Sequence, residues 1–373
     1  MTEPHYPAAR HHAARLHDHF ARHLPHGAEG SPSRAPVPDA ETIEALVDAG
    51  FWASLQREEG YAPEISLAFV SPDRAVRPML LAEPLPLGPR ALARLAPAVE
   101  RPGIHLGVWR AGKRLQVWGT TRATPTSCFV LEVLGPGLLV VKHRVHDDSP
   151  KFRNVAVFEG EQVKLVSREA LAAPDAPALL RSLLAPEAAY TPDPFDDVLL
   201  RLAVSMRAHR RGGTLLVVPA RSEAWRDSIV RPIAYAVEPP FTELAELARE
   251  ATEERHLALS RVVDAIAGLT AVDGATLITD RYDLLAFGVK IGRPDGRPRV
   301  ERVALSEPVE GGAVSVVAPL QVGGTRHNSA AQFAQDQPDA LAMVASQDGR
   351  FTLFASSQRD GLVHAHRVEV LLL

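Results

Sequence analysis

The stretch from Val322 to Phe354, VGGTRHNSAAQFAQDQPDALAMVASQDGRFTLF, decides how the C-terminal half of this chain is interpreted. A glycine pair leads into a short helix. That helix is predicted to end by Gln337, because Pro338 disfavours helical geometry at the residue before it. Two strands follow on either side of a Gln-Asp-Gly turn, at residues 340–346 and 350–355. The stretch therefore predicts a helix followed by a β-hairpin.

The start of this helix has the chemistry of a phosphate-binding site. Gly323 and Gly324 allow the backbone to approach a ligand closely, and a helix start offers free N–H groups and the positive end of a dipole. Arg326 adds a forked cation, and Thr325 and Ser329 add hydroxyl groups. The same residues also fit a second interpretation, in which the glycine turn only caps an ordinary helix.

Length and composition indicate a globular protein of two or three domains. The chain has 373 residues, of which 46% are hydrophobic and 23% are charged. Its net charge of −4 gives no overall basic field, so we expect no nucleic-acid partner.

The cysteine content and the hydropathy pattern predict a soluble, cytoplasmic protein. Cys128 is the only cysteine, which excludes an internal disulfide and a multi-cysteine zinc site and fits a reducing compartment. No apolar run approaches the roughly 18 to 20 residues that span a bilayer. The N-terminus lacks the apolar core of a signal peptide, so we expect no membrane partner.

Residues 1–38 are predicted to be a histidine-rich tail and linker. Seven of the 15 histidines lie here, together with a short amphipathic pattern at Leu16, Phe20 and Leu24. We expect a mobile or loosely docked tail; metal binding or pH sensing is the alternative. Glycine, proline and serine residues make up the linker that follows.

Residues 39–185 are predicted to form a smaller mixed α+β domain that is rich in β-hairpins. Asp39 is a candidate N-cap for a helix, and a series of short strands with turn residues between them runs from residue 104 to residue 166. His146, Asp147 and Asp148 could bind a metal or form a solvated loop. Prolines concentrate between 171 and 193, which places the domain boundary there.

Residues 186–373 are predicted to form an α/β (α+β) domain with a mixed central sheet flanked by helices. The continuous apolar run TLLVVP at 214–219 indicates a strand that is buried on both faces. Helical patterns and strand patterns then alternate, the longest helix being predicted at 244–266 and the strands at 275–279, 284–289, 302–305 and 314–317.

The tripeptide Asp273, Gly274 and Ala275 lies between the long helix and a predicted strand. An acid at a strand edge followed by glycine can hold a metal while the backbone lies close to a ligand. An ordinary Asp-Gly turn is the alternative.

Two stretches together resemble the diadenylate cyclase (DAC) domain family: DGATLITDRYDLLAFGVKI at 273–291 and GGTRHNSAAQFAQDQPDALAMVASQDGRFTL at 323–353. That family carries an Asp-Gly-Ala motif and then a Gly-Thr-Arg-His-Arg motif that opens a helix. HRRGGTLLVVP at 209–219 is similar to the family's lead-in to a buried strand, so the resemblance covers roughly 194–356. The preceding unit resembles the sensor domain called DACNV, through FWASLQREEG at 51–60 and LGVWRAGKRLQVWG at 106–119.

The resemblance implies an enzyme that condenses two ATP molecules into cyclic di-AMP and releases pyrophosphate, under the control of the N-terminal sensor domain. It implies that Asp273 coordinates Mg²⁺ or Mn²⁺ and favours deprotonation of the attacking 3′-hydroxyl, with Arg326 and His327 as its catalytic partners. It further implies a homo-oligomer with active sites face to face. The implied ATP contacts are Gly274, Ala275, Gly324, Thr325, Arg326, His327, Asn328 and Ser329.

Two departures from the family pattern support an alternative function. Asn328 replaces the second arginine of the motif, and asparagine has neither the charge nor the fork of arginine. The Ser-Glu pair of the family is replaced by Ala334, Gln335 and Asp336 at the helix end. A cation such as Lys290 or Arg293 could substitute for the arginine. Otherwise, the domain would be a weak or inactive cyclase-like module that binds and senses a nucleotide.

Overall fold

The computed structural model describes residues 5–22, 35–57, 60–101, 103–144, 152–167, 194–249 and 255–373. Contacts divide the chain into two compact units, Met1–Val166 and Ser167–Leu373. The predicted boundary at 185 and the candidate loop at 146–148 lie outside the described residues, so both stay predictions.

The first unit is an eight-stranded mixed sheet with helices packed against it. Its helices are α1 (Pro7–Arg22), α2 (Ala40–Ser54) and α3 (Pro89–Leu95). Its strands are β1 (Ile65–Phe69), β2 (Met79–Pro86), β3 (His105–Ala111), β4 (Arg114–Thr121), β5 (Phe129–Gly135), β6 (Leu138–Arg144), β7 (Phe152–Glu159) and β8 (Gln162–Leu165).

The strand order in this sheet is β2-β4-β3-β1-β5-β6-β7-β8, and the neighbours are antiparallel except for β1 and β3. The predicted N-cap is confirmed, since Asp39 Oδ1 accepts a hydrogen bond of 2.8 Å from the amide of Thr42. The expected domain of β-hairpins is therefore present in the described residues.

The N-terminal histidine-rich segment differs from the expected loosely docked tail. Residues 7–22 form α1, whose Leu16 and Phe20 are fully buried in the same hydrophobic core as Ile43 of α2. The apolar stripe that predicted a helix is thus the docking face of that helix. The expectation of a loose tail is therefore wrong for α1, because the stripe has a core to pack against.

The second unit contains a nine-stranded mixed sheet. Its helices are α4 (Pro194–Ala208), α5 (Glu243–Arg249), α6 (Arg255–Leu269), α7 (Pro319–Val322) and α8 (Thr325–Asp336). Its strands are β9 (Gly213–Val218), β10 (Tyr235–Phe241), β11 (Ala275–Thr279), β12 (Leu284–Val289), β13 (Val303–Ser306), β14 (Ser315–Val317), β15 (Leu341–Ala345), β16 (Phe351–Ser356) and β17 (Val363–Arg367). The predicted helix at 244–266 corresponds to α5 and α6, and residues 250–254 lie outside the described part.

The strand order here is β10-β12-β11-β9-β15-β16-β17-β13-β14, with parallel pairs only at β11–β9 and β13–β17. Alternate residues of β9 contribute to two separate cores. Leu215 and Val217 pack with α4, α5 and α6, whereas Leu216 and Val218 pack with α8. The strand is therefore buried on both faces, as the run TLLVVP predicted, and the mixed sheet flanked by helices is confirmed as the fold class.

The sequence did not predict three strands, β2, β10 and β17, of which β2 and β10 lie at the sheet edges. The two edge strands contain proline, MLLAEPLP in β2 and YAVEPPF in β10, and the pairing register of each is interrupted. Proline cannot donate to a strand ladder, so it is confined to edges and irregular positions. These strands therefore lack the regular pattern by which strands are predicted.

None of the helices in the described ranges combines the length and the apolar character needed to cross a bilayer.

Candidate functional site

A cleft of about 610 Å³ opens at one end of the strands in the middle of the nine-stranded sheet. The pairing registers Thr276–Leu215, Ala275–Val289 and Ala345–Gly213 put the starts of β9 and β11 beside the ends of β12 and β15. The Asp-Gly-Ala tripeptide leads into β11, whose first residue is Ala275, and the Gln-Asp-Gly turn follows β15. Sheet topology therefore brings both segments to one place.

The N-terminus of α8 forms a second wall of this cleft. Gly324 is the N-cap and provides no side-chain hydrogen bond to the first turn, so the first N–H groups keep their capacity to bind a ligand. Thr325, Arg326 and Ser329 all line the cleft. A helix N-terminus with a neighbouring guanidinium and two hydroxyls has the groups needed to bind an anion.

Asp273 lies at the entrance of the cleft with 93% of its side chain exposed. Its Oδ2 is 2.6 Å from Nζ of Lys290, whose hydrogen bond and charge, together with the charge of Arg326, lower the pKa of this carboxyl group. Gly274 has a φ of +120°, and a Cβ there would lie 2.5 Å from the carbonyl carbon of Gly288. Only glycine fits this close approach of β11 to β12, which holds Asp273 at the sheet edge.

His327 is a buried, neutral residue of the cleft wall. Its side chain is only 5% exposed and packs edge-on against Phe354, with 6.0 Å between the ring centroids. Burial, followed by the charge of Arg367, lowers its pKa to about 4. Its Nε2 is 3.5 Å from Oγ of Ser346, and a Cβ on Gly323 would lie 2.4 Å from its Nδ1. This imidazole can hydrogen bond to a ligand or position the turn, but it carries no charge at neutral pH.

Two of the sequence-derived positions do not meet the cleft. Asn328 is half-buried and is absent from the residues that line it. Asp336, the acid at the end of α8, is buried beside a separate pocket of about 270 Å³ and accepts a hydrogen bond of 2.9 Å from Gln332 Nε2. Its pKa is raised by burial. The acid at the helix end is therefore not available to a ligand in the cleft.

The remaining predicted site residues, Gly274, Ala275 and Gly324, line the cleft with Asp273, Thr325, Arg326, His327 and Ser329. Their roles toward ATP stay predictions. Sequence reasoning did not assign to the site four polar residues that the structure adds: Thr214, Ser346, Gln347 and Asp348. The pairing of β9 with both β11 and β15 was the missing information, because it brings the start of one strand and the end of another to this edge.

Comparison with known proteins identifies part of the first unit. Residues 32–122 match a family model described as "Probable sensor domain DACNV". The resemblance of the N-terminal unit to this sensor domain is thereby confirmed over those residues, while the diadenylate cyclase resemblance of the second unit stays a prediction. No curated protein matches the chain.

Among solved structures, the chain is similar to a hypothetical membrane spanning protein from Bacillus cereus. The two sequences are 16% identical, and the match covers 50% of this chain and 71% of that one with a TM-score of 0.29. A similarity this low supports no conclusion about fold or function.

Two carboxylates line the cleft and could bind a hard divalent cation: Asp273, and Asp348, which is paired with Arg350 at 3.5 Å. Among the described residues, no cluster of three or more histidine, cysteine, aspartate or glutamate side chains could hold a metal. Asp273 nevertheless presents an exposed carboxylate whose Oδ1 has no hydrogen bond to the described residues. Mg²⁺ is often held by one or two carboxylates together with substrate phosphates, so these residues fit a metal that arrives with a polyphosphate.

Proposed function

We propose that the second unit is a diadenylate cyclase, which condenses two ATP molecules into cyclic di-AMP and is regulated by the N-terminal sensor domain. The observation that carries this proposal is the meeting of Asp273 and Arg326 in one cleft, beside the uncapped N-terminus of α8. These residues come from motifs that are distant in sequence, and each motif alone has an ordinary structural explanation. The match of residues 32–122 to a sensor domain supports the regulatory part.

The triphosphate binds at the start of α8. The first N–H groups of the helix and the hydroxyls of Thr325 and Ser329 donate hydrogen bonds to phosphate oxygens. Arg326 adds charge-assisted hydrogen bonds, which are the stronger kind. Lys290 lies in the same cleft and supplies a second cation, in the role that the family pattern gives to the arginine replaced by Asn328.

In the reaction, the 3′-oxygen of one nucleotide forms a bond to the α-phosphorus of the other. The bond from that phosphorus to the oxygen bridging to the β-phosphate breaks, and pyrophosphate leaves with the electron pair. The second 3′-hydroxyl repeats the step and closes the ring. Such a transfer needs alignment and charge neutralisation more than covalent catalysis by the protein.

Asp273 acts near the attacking hydroxyl. Asp273 is ionised at neutral pH, as an exposed carboxyl group ordinarily is, and Lys290 lowers its pKa further. It can accept a hydrogen bond from the 3′-hydroxyl and favour loss of that proton to water, and it would hold Mg²⁺ or Mn²⁺. A bound divalent cation would neutralise phosphate charge.

The product also sets the assembly. One cleft holds one ATP, whereas cyclic di-AMP joins two nucleotides, so two second units must meet with their clefts face to face. The active species is therefore a homodimer or a larger oligomer.

A second function, nucleotide sensing without turnover, is favoured by specific contacts. The carboxylate of Asp273 is already paired with Lys290, Asn328 does not line the cleft, and Asp336 is buried away from it. These contacts weaken catalytic features while leaving the anion site intact.

Substitution Asp273→Asn separates the two functions, because it keeps the shape of the side chain and removes its charge. For an enzyme, cyclic di-AMP formation with Mn²⁺ should fall by about a hundredfold or more, which corresponds to about 3 kcal/mol of transition-state stabilisation. Mass spectrometry of the products and calorimetry of ATP binding provide the two readouts. Asp295→Asn is the matched control, since Asp295 is exposed and outside the cleft.

ATP binding without product in the unmodified chain would establish the sensing function instead. Turnover that Asp273→Asn leaves unchanged would place the metal-binding group elsewhere.

A further inference from the structure

The first unit carries a cleft of its own, of about 750 Å³. One side of it is α2, and the other is formed by the turn between β3 and β4 together with the residues that lead into α3. Except for His5, its lining residues fall within the range 32–122 that matches the sensor-domain model. A sensor domain needs a place for its signal, and this cleft is of the size that small-molecule sites have.

The floor of the cleft is apolar. Ala45, Ala49 and Trp52 contribute from α2, at the spacing of one helix face, and Leu87 and Leu115 contribute from the other side. The Trp52 indole Nε1 is buried and has no hydrogen-bond partner among the described residues. That nitrogen lies beneath the cleft surface, so Trp52 contributes its apolar ring to the floor.

The rim of the cleft carries charges of both signs. Glu41 and Glu44 lie on α2, Lys113 lies on the turn between β3 and β4, and Arg114 is the first residue of β4. Within the described part of the chain, no ion pair or side-chain hydrogen bond engages these four residues.

The other charged residues of this cleft have partners within the protein. Arg110 binds Asp39 at 2.6 Å and also contacts Thr42, and Asp48 Oδ1 accepts a hydrogen bond of 2.6 Å from the amide of Tyr6. The charges available to a ligand are therefore two acids on one element and two bases on another.

We infer that this cleft binds a zwitterionic small molecule with an apolar body, the chemical class of free apolar amino acids. Glu41 and Glu44 bind its ammonium group, Lys113 and Arg114 bind its carboxylate, and the apolar floor covers the side chain. This charge arrangement selects against molecules that carry only one of the two groups, because they leave one rim pair unused. The inference does not depend on catalysis by the second unit.

Calorimetric titration of the full chain with three matched probes tests this directly. The probes are L-phenylalanine, 2-phenylethylamine, which lacks the carboxylate, and 3-phenylpropionate, which lacks the ammonium group. We expect saturable binding of L-phenylalanine at one molecule per chain. Each analogue should bind at least about tenfold more weakly. L-leucine serves as a second zwitterion with a smaller body.

Charge-removing variants assign the two ends of the ligand. Glu44→Gln should weaken L-phenylalanine and 2-phenylethylamine while leaving 3-phenylpropionate unchanged, and Arg114→Gln should show the opposite pattern. Glu83→Gln and Arg90→Gln, at exposed positions of the first unit outside the cleft, should change nothing.

The inference is overturned if neither zwitterion binds at millimolar concentration, or if the three phenyl probes bind equally. Binding that Glu44→Gln and Arg114→Gln both leave intact would also overturn it, since the ligand would then lie elsewhere.

Discussion

The two clefts differ less in size than in what they are made of. The cleft of the second unit, about 610 Å³, is built from backbone: a glycine turn, a helix N-terminus and a sheet edge, with Asp273 and Arg326 added. The cleft of the first unit, about 750 Å³, is built from side chains of a helix and a turn over an apolar floor. Volume alone would not distinguish them. The difference in lining is the reason why a polyphosphate is proposed for one cleft and a small amphipathic ligand for the other.

The largest expected effect comes from Arg326→Ala. Among the lining residues that the structure describes, the other cation is Lys290, and that residue is already paired with Asp273. We expect ATP affinity to fall by about a hundredfold or more, since two charge-assisted hydrogen bonds of about 1.5 to 3 kcal/mol each are removed. Binding at the cleft of the first unit should not change. Calorimetry with ATP measures the effect, and Arg359→Ala, at an exposed position outside both clefts, is the control.

If Arg326→Ala leaves ATP affinity intact, residues 323–329 only cap a helix. The contrast between a phosphate-binding cleft and an amphipathic one would then be lost.

A smaller effect is expected from Lys290→Met, which keeps the aliphatic stem and removes the charge. We expect ATP affinity to fall by about tenfold, in line with the loss of one charge-assisted contact. The pKa of Asp273 should rise toward its ordinary value, because Lys290 is the main cause of its lowering. ATP titrations of Lys290→Met and of Arg293→Met show which of the two cations contributes to ATP affinity. Arg293→Met is the control, since Arg293 does not line the cleft. Equal affinity in all three proteins would reduce the Lys290–Asp273 pair to an exposed ion pair of little consequence.

Acid should destabilise both units through a buried histidine in each. Burial is the first cause that lowers the pKa of His105 and of His327 to about 4, and His105 Nδ1 lies 2.7 Å from Ser66 Oγ. In the unfolded chain each histidine gains a proton below about pH 6.5, whereas in the folded protein it stays neutral until about pH 4. The free energy of unfolding is therefore unaffected above about pH 6.5 and decreases progressively as the pH falls from about 6.5 toward 4.

Urea unfolding at pH 7.5, 6.0 and 5.0 measures this dependence. His105→Gln and His327→Gln should each flatten the loss between pH 6.5 and 5, in the unit that carries the change. If unfolding of both variants shows the same pH dependence as the unmodified chain, the two histidines titrate normally in the folded protein.

The smallest effect is expected from Asn328→Arg. The family pattern alone suggests that an arginine here recovers about 1 to 2 kcal/mol, or a roughly 5- to 30-fold gain. Because Asn328 does not line the cleft and Lys290 does, we expect ATP affinity to change by less than about fivefold. A gain of tenfold or more in ATP titrations would show that position 328 reaches the phosphates.

Much of the fold could be predicted from the sequence, because regular periodicity reports burial. The run TLLVVP gave a strand buried on both faces, and the stripe of Leu16 and Phe20 gave a helix. The edge strands β2 and β10 were missed because their prolines break that periodicity. Whether α1 packs on a core depends on tertiary contacts that no local pattern contains.

For the candidate site, the sequence identified most of the residues but not their contacts with one another or their burial. The motifs at 273–275 and 323–329 could be read as ligand-binding, and the structure places most of their residues in one cleft. The ion pair of Asp273 with Lys290 and the neutral state of His327 could not be predicted, because both depend on which strands are neighbours and on how deeply a side chain is buried. The absence of Asn328 from the lining could not be predicted either, because it depends on which face of α8 borders the cleft.

The most direct test of the central proposal is the rate of cyclic di-AMP formation per chain, measured with ATP and Mn²⁺ over a wide range of protein concentration. A cyclase that joins nucleotides from two face-to-face clefts should show a rate per chain that rises with protein concentration and levels off once all chains are dimeric. Light scattering should detect the dimer over the same concentration range. A rate per chain that stays constant in a strictly monomeric sample would contradict the two-cleft arrangement. If ATP binds but no cyclic di-AMP forms at any protein concentration, the result would contradict the proposed cyclase activity.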